Sequence, residues 1–107
     1  MMMSKPLALE KFITKNIADN INPLLQLYLW MLVEKRIAAG EAVDYLQIFE
    51  LSVESKAGKP VQKILHRQEQ PEYSCINYFE GMWEPVICKI WIIDNEEYST
   101  MLFPEDY

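Results

Sequence analysis

Only three glycines and one histidine occur in the 107 residues. So few glycines argue against a barrel or sandwich of many tight turns, and leave nothing with which to cradle a phosphate in a glycine loop. The two cysteines, Cys75 and Cys88, are too few for a disulfide framework and stand in no metal-ligand spacing. With His66 the lone histidine and no CxxC pair, no zinc site can be assembled, and the expected complement of metals and cofactors is none. Both cysteines read as buried or half-buried thiols of a reducing cytosol.

Long apolar runs are missing as well. The most apolar stretch, Leu24–Val33, is interrupted by Gln26 and closed by Glu34, Lys35 and Arg36. A bilayer needs roughly twenty such residues, so no membrane contact is expected. The opening "MMMSKPLALEKF" lacks the apolar core of a secretory signal. Together these absences predict a soluble, cytoplasmic protein.

Positive charge runs out after Arg67. Residues 1–68 carry nine Lys/Arg against seven Asp/Glu, whereas residues 69–107 carry Lys89 alone against nine carboxylates. Such a surface repels phosphate backbones, so nucleic acid is not an expected partner. It permits a basic protein partner, although solubility alone accounts for acids in this number.

Half of the residues are apolar and about a quarter charged, the composition of a folded globular chain. The length suits one domain, expected over residues 10–107 behind a loosely ordered stretch, 1–9. "KFITKN", Lys11–Asn16, alternates like a short strand, and "IADNIN" breaks the pattern. Asn22 is placed to cap a helix, and Pro23 suits its first position. Leu24–Ala39 holds no breaker, and Gly40 can close it. "DYLQIFELSV" and "KPVQKILHRQ" read as strands joined by a turn at Gly58. "PVICKIWIID" is the strongest strand by its Ile and Val content. The turn "DNEE" leads to a last strand over Tyr98–Phe103. Residues 70–84 between the strands read as a long aromatic link, with Tyr73, Tyr78, Phe79 and Trp83. The expected fold is α+β: a largely antiparallel sheet of about five strands with one main helix packed on one face.

The succession "FITKNI…NPLLQLYLW", "DYLQIFEL", "QKILHRQEQPEY" and "CKIWIIDNEEYSTMLFPEDY" resembles the domain-of-unknown-function 960 family, small proteins of Gram-positive bacteria and their mobile elements. The resemblance covers about residues 11–107. It implies a compact α+β domain in a bacterial cytoplasm and carries over no activity, cofactor or site residue.

For chemistry, "ILHRQEQPEY" is the densest polar stretch. Along a strand His66 and Gln68 face one side while Arg67 and Glu69 face the other, so the four do not converge. A polar strand end near a sheet edge is the favoured reading. The alternative keeps His66 as a general base for Cys88 or a glutamate brought in by the fold. "DNEE" lacks the ligand number and the glycine of a calcium loop. Carboxylates spaced to imitate a nucleic acid are a further alternative, resting only on the acidic half.

The strand faces say more. Lysine avoids burial, so the Lys89 side of "PVICKIWIID" is expected to face outward with Ile87, Trp91 and Ile93, joined by Leu46 and Ile48 from the second strand. An apolar face of that size asks for cover, by the 70–84 segment or by a protein partner or second copy. Leu24, Leu27 and Trp30 pose the same question on the helix. The reading is a protein–protein interaction module, a homodimer among its forms, with Tyr73, Tyr78, Phe79, Trp83, Ile87 and Trp91 as contact residues. The competing reading is an enzyme or small-ligand binder with a pocket between residues 70–84 and the sheet, marked by His66 or Cys75 with a shifted pKa.

Overall fold

The computed structural model describes residues 10–81 and 84–107. The loosely ordered start expected over 1–9, and the contact role expected of Trp83, lie outside those residues. The described chain runs β1 (Lys11–Ile13), α1 (Lys15–Asn20), α2 (Pro23–Ala38), β2 (Leu46–Lys56), β3 (Lys59–Gln68), β4 (Tyr73–Phe79), β5 (Cys88–Asp94) and β6 (Ser99–Leu102), closed by a 3-10 turn at Pro104–Asp106. The strands form one sheet in the order β1-β6-β5-β2-β3-β4.

α2 forms where its signals stand. The Asn22 side chain accepts from the Leu24 N–H at 2.8 Å, Pro23 opens the helix, Lys35 and Arg36 sit in its last turn, and Gly40 follows at φ +79°. Leu25, Leu29, Leu32 and Val33 turn inward and meet Phe49, Leu51, Ile64, Ile90, Ile92 and Met101, which line one face of the sheet. The period of two explains the strand side of this core: Phe49, Leu51, Ile90 and Ile92 alternate with residues that face away.

Three expectations are corrected. The sheet has six strands rather than about five, because within the expected link Tyr73–Phe79 pair along β3 as β4. Apolar alternation is lost in "YSCINYF" because the strand lies at the sheet's edge, where Cys75 and Asn77 occupy the helix-side positions without being sealed. The sheet is mixed rather than purely antiparallel, since β1 pairs parallel with β6, Lys11 opposite Ser99 and Ile13 opposite Met101. No local pattern announces a partner so distant in sequence. And the strand expected over Lys11–Asn16 ends at Ile13, with "IADNIN" belonging largely to a short helix rather than merely breaking the pattern. Thr14 caps α1, its hydroxyl accepting from the Ile17 N–H at 3.3 Å, and Ile17 is fully buried.

Candidate functional site

At the end of the sheet beside the last turn of α2, buried polar groups meet. Gln68 Oε1 accepts from Arg36 Nη1 (2.9 Å), from Gln47 Nε2 (2.9 Å) and from the Asp44 backbone N–H (3.1 Å). Its Nε2 donates to the carbonyls of Ala42 (3.0 Å) and Pro71 (2.8 Å). Gln47 Nε2 also donates to the Asp44 carbonyl, so its Oε1 is the acceptor left for His66 Nε2, 2.7 Å away. His66 is therefore the tautomer with hydrogen on Nε2. Its ring stacks on Phe49, centroids 4.5 Å apart, and meets Tyr73 edge-on. Above this floor Arg36 lies 3.5 Å from the centre of the Tyr73 ring and bonds Glu41 Oε1 through Nη2 at 3.1 Å.

Chemically this cluster is closed. His66 is 1 % exposed, and burial, with the Arg36 charge as the second cause, pulls its pKa down to about 4. The imidazole is neutral at pH 7 and out of reach of a substrate. "ILHRQEQPEY" is thus no exposed strand end on this face. His66 and Gln68 share a face as their spacing predicts, but that face is the buried one, while Arg67 turns outward to pair Glu50 at 2.9 Å. Cys88 cannot be the nucleophile for His66, because β2 separates their strands. Burial, then the Glu105 charge, pushes the Cys88 thiol up to about 11, so it stays protonated at neutral pH. Cys75 sits opposite His66 across the β3–β4 pair and is exposed.

A second buried amide holds the segment before β5. Gln62 Nε2 donates to the Val86 carbonyl (2.9 Å) and its Oε1 accepts from the Val86 N–H (2.8 Å), while the same Nε2 donates to the Ser52 carbonyl. One side chain thereby satisfies both backbone groups of a residue outside any strand. Among the described residues, three depressions lie around this segment. One of about 240 Å³ is lined by Lys59, Gln62, Phe79 and Glu80. Another of about 350 Å³ lies beside Asn22 and Glu84, and a third of about 500 Å³ beside Ile87, Cys88 and Glu105. None of the three is lined by His66 or Cys75.

The residues expected to form a contact surface are divided between the two sheet faces. Tyr73 and Phe79 lie on the helix side, half-buried, Tyr73 under Arg36 and Phe79 stacked on Tyr28 at 4.4 Å. Tyr78 lies on the opposite face, its hydroxyl donating to Glu54 Oε2 (3.1 Å) with Lys56 Nζ 3.3 Å from its ring centre. Trp91 shares that outer face in a cross-strand row, Ile48–Trp91–Leu102, and Tyr107 meets it edge-on. Its Nε1 is buried without a hydrogen-bond partner among the described residues. Ile87, just ahead of β5, is 77 % exposed. Leu46 and Ile93 stand opposite each other on the outer face, as the position of Lys89 predicts.

A row of exposed apolar groups also lies on the helix. Leu24, Leu27 and Met31 remain 58, 63 and 43 % exposed, whereas Trp30 is buried. Their spacing of three and four residues puts them on one side of α2, turned away from the core. Arg36, Gln47, Gln62 and Gln68 are the residues that hydropathy reading misses, since it assigns such side chains to solvent. The available signal was the period of two in β3, which places Gln62, His66 and Gln68 with Ile64.

Among the described residues no helix is long and apolar enough to cross a membrane. A family model described as "Staphylococcal protein of unknown function (DUF960)" matches residues 10–106. Comparison with curated proteins gives no match. Among solved structures, the chain is similar to one described as the crystal structure of the protein of unknown function from Enterococcus faecalis. The TM-score is 0.75 at 14 % identity, with 92 % of this chain and 90 % of that chain covered. That likeness concerns the fold.

Proposed function

The chain belongs to this staphylococcal family of unknown function, and on that premise we propose that it acts by protein–protein contact, as a homodimer docked through α2. The observation that carries the reading is the solvent-facing stripe of Leu24, Leu27 and Met31 on a helix whose other side already fills the core. Burying a leucine side chain is worth about 1.5–3 kcal/mol, so two copies of such a stripe supply several kcal/mol. No charged residue occurs in Pro23–Val33, so self-docking there buries no charge within the segment itself. An isologous pairing also needs no second gene product to cover the surface.

The test is light scattering coupled to size exclusion across a range of protein concentrations. The natural chain is expected to run as a dimer, and the double variant Leu24→Gln, Leu27→Gln as a monomer with an unchanged far-ultraviolet spectrum. A natural chain that stays monomeric at high concentration overturns the reading.

A further inference from the structure

The two edges of the sheet are built differently. β1 is three residues long, and Lys11, at its start, is held by Glu34 at 3.0 Å. β4 is seven residues long, contains no charged residue and no proline, and among the described residues has no strand on its outer side. Natural edges are usually shortened, charged or interrupted by proline, because an open row of N–H and C=O groups invites another strand. From this open edge, and independently of the α2 surface, we infer that β4 is a receptor for an extended segment of a partner protein, which adds to the sheet as a seventh strand.

The side chains define what the segment looks like. β4 is bracketed by Glu72 and Glu80, both exposed and neither in an ion pair among the described residues. Three of the nearby basic groups are already engaged, Lys63 with Glu54, Arg67 with Glu50, and Lys56 over the Tyr78 ring, while Lys59 shares a depression with Glu80 without bonding it among the described residues. A docking strand therefore carries Lys or Arg at both ends, about 26 Å apart, the extended distance from Glu72 to Glu80. Between them it alternates. One side lies along Ser74, Ile76 and Tyr78 and favours β-branched apolar residues; the other runs beside Cys75 and Asn77 and favours small polar ones.

The same carboxylates disfavour a second copy at this edge. A twofold pairing of β4 with itself over its full length centres on Ile76 and sets Glu72 opposite Glu80 at both ends, like charges face to face. Main-chain hydrogen bonds then give the partner strand its affinity and the terminal charges its selectivity.

The experiment uses the whole chain and a nine-residue peptide of alternating threonine and valine closed by lysine at each end. Amide hydrogen exchange across Tyr73–Phe79 is followed by NMR. Saturating peptide is expected to slow exchange of alternate β4 amides at least tenfold. Replacing the terminal lysines by glutamate should weaken binding at least tenfold, and methylating alternate peptide nitrogens should abolish it. The variant Ile76→Lys should lose peptide binding while its state of association is unchanged. The inference is overturned if the lysine-ended peptide leaves β4 exchange unaltered at millimolar concentration, or if both peptides bind alike. It is equally overturned if the β4 amides are protected without peptide in proportion to protein concentration, which would give the edge to a second copy.

Discussion

His66 makes the stability of the chain depend on acid. Its pKa is about 4 in the folded protein and near 6.5 when unfolded, so between these values the unfolded chain binds more protons. The contribution of a neutral His66 is fully present above about pH 6.5, is lost as pH falls, and is exhausted below about 4. The gap corresponds to roughly 3 kcal/mol. Urea denaturation at pH 7 and at pH 4.5 should show that decline, and His66→Gln should remove most of it. Gln68 is the other sensitive position. Gln68→Leu strips Arg36, Gln47 and the Asp44 N–H of a shared acceptor and leaves two carbonyls unmet. It should cost about 3 kcal/mol or more in the same assay. Trp91 behaves differently. Its N–H has no partner to lose among the described residues, so Trp91→Phe should cost less than about 1.5 kcal/mol, whereas Trp91→Ala should cost about 3–5 kcal/mol by emptying the row between Ile48 and Leu102.

Among the elements, the β2–β3 hairpin carries an avoidable strain. Its turn residues Ala57 and Gly58 both have positive φ, 51° and 77°, the geometry of a type I′ turn, and alanine tolerates it poorly. Ala57→Asn should raise the stability by about 0.5–1 kcal/mol, read as a higher urea midpoint with unchanged slope. This hairpin was legible in the sequence because Gly58 stands between two alternating runs, and α2 because Asn22, Pro23 and Gly40 mark its ends. The outward side of β5 could be read from Lys89 alone. β4 could not. Its helix-side residues Cys75 and Asn77 are polar because an edge position is only half sealed, and its aromatics at 73, 78 and 79 follow neither period. The polar cluster was hidden for the opposite reason: amides that look solvated are buried because their partners, such as the Ala42 and Pro71 carbonyls, come from loops. For the residues expected to make contacts, the sequence did not show their division between two faces, which depends on register.

At the scale of the whole molecule, helices cover the middle of one sheet face, and the middle of the other is packed by its own side chains. Ile48 and Leu102 are nearly inaccessible on that outer face, with Leu46, Trp91 and Ile93 half-buried around them. Exposed apolar surface therefore sits on α2, as Leu24, Leu27 and Met31, and along the sheet's borders, as Phe12, Ile76 and Tyr78. If α2 docks a second copy, folding and association are linked, and the thermal midpoint should rise with protein concentration; scanning calorimetry over a hundredfold range reads this directly. The pairing of β1 with β6 has a consequence for the newborn chain. Lys11–Ile13 leaves the ribosome before either helix, yet its neighbour Ser99–Leu102 is made only after all the other strands. The far edge of the sheet closes only after synthesis of the domain is all but complete, so a nascent chain arrested before Ser99 holds α1 and α2 in hand while one border of its core stands open.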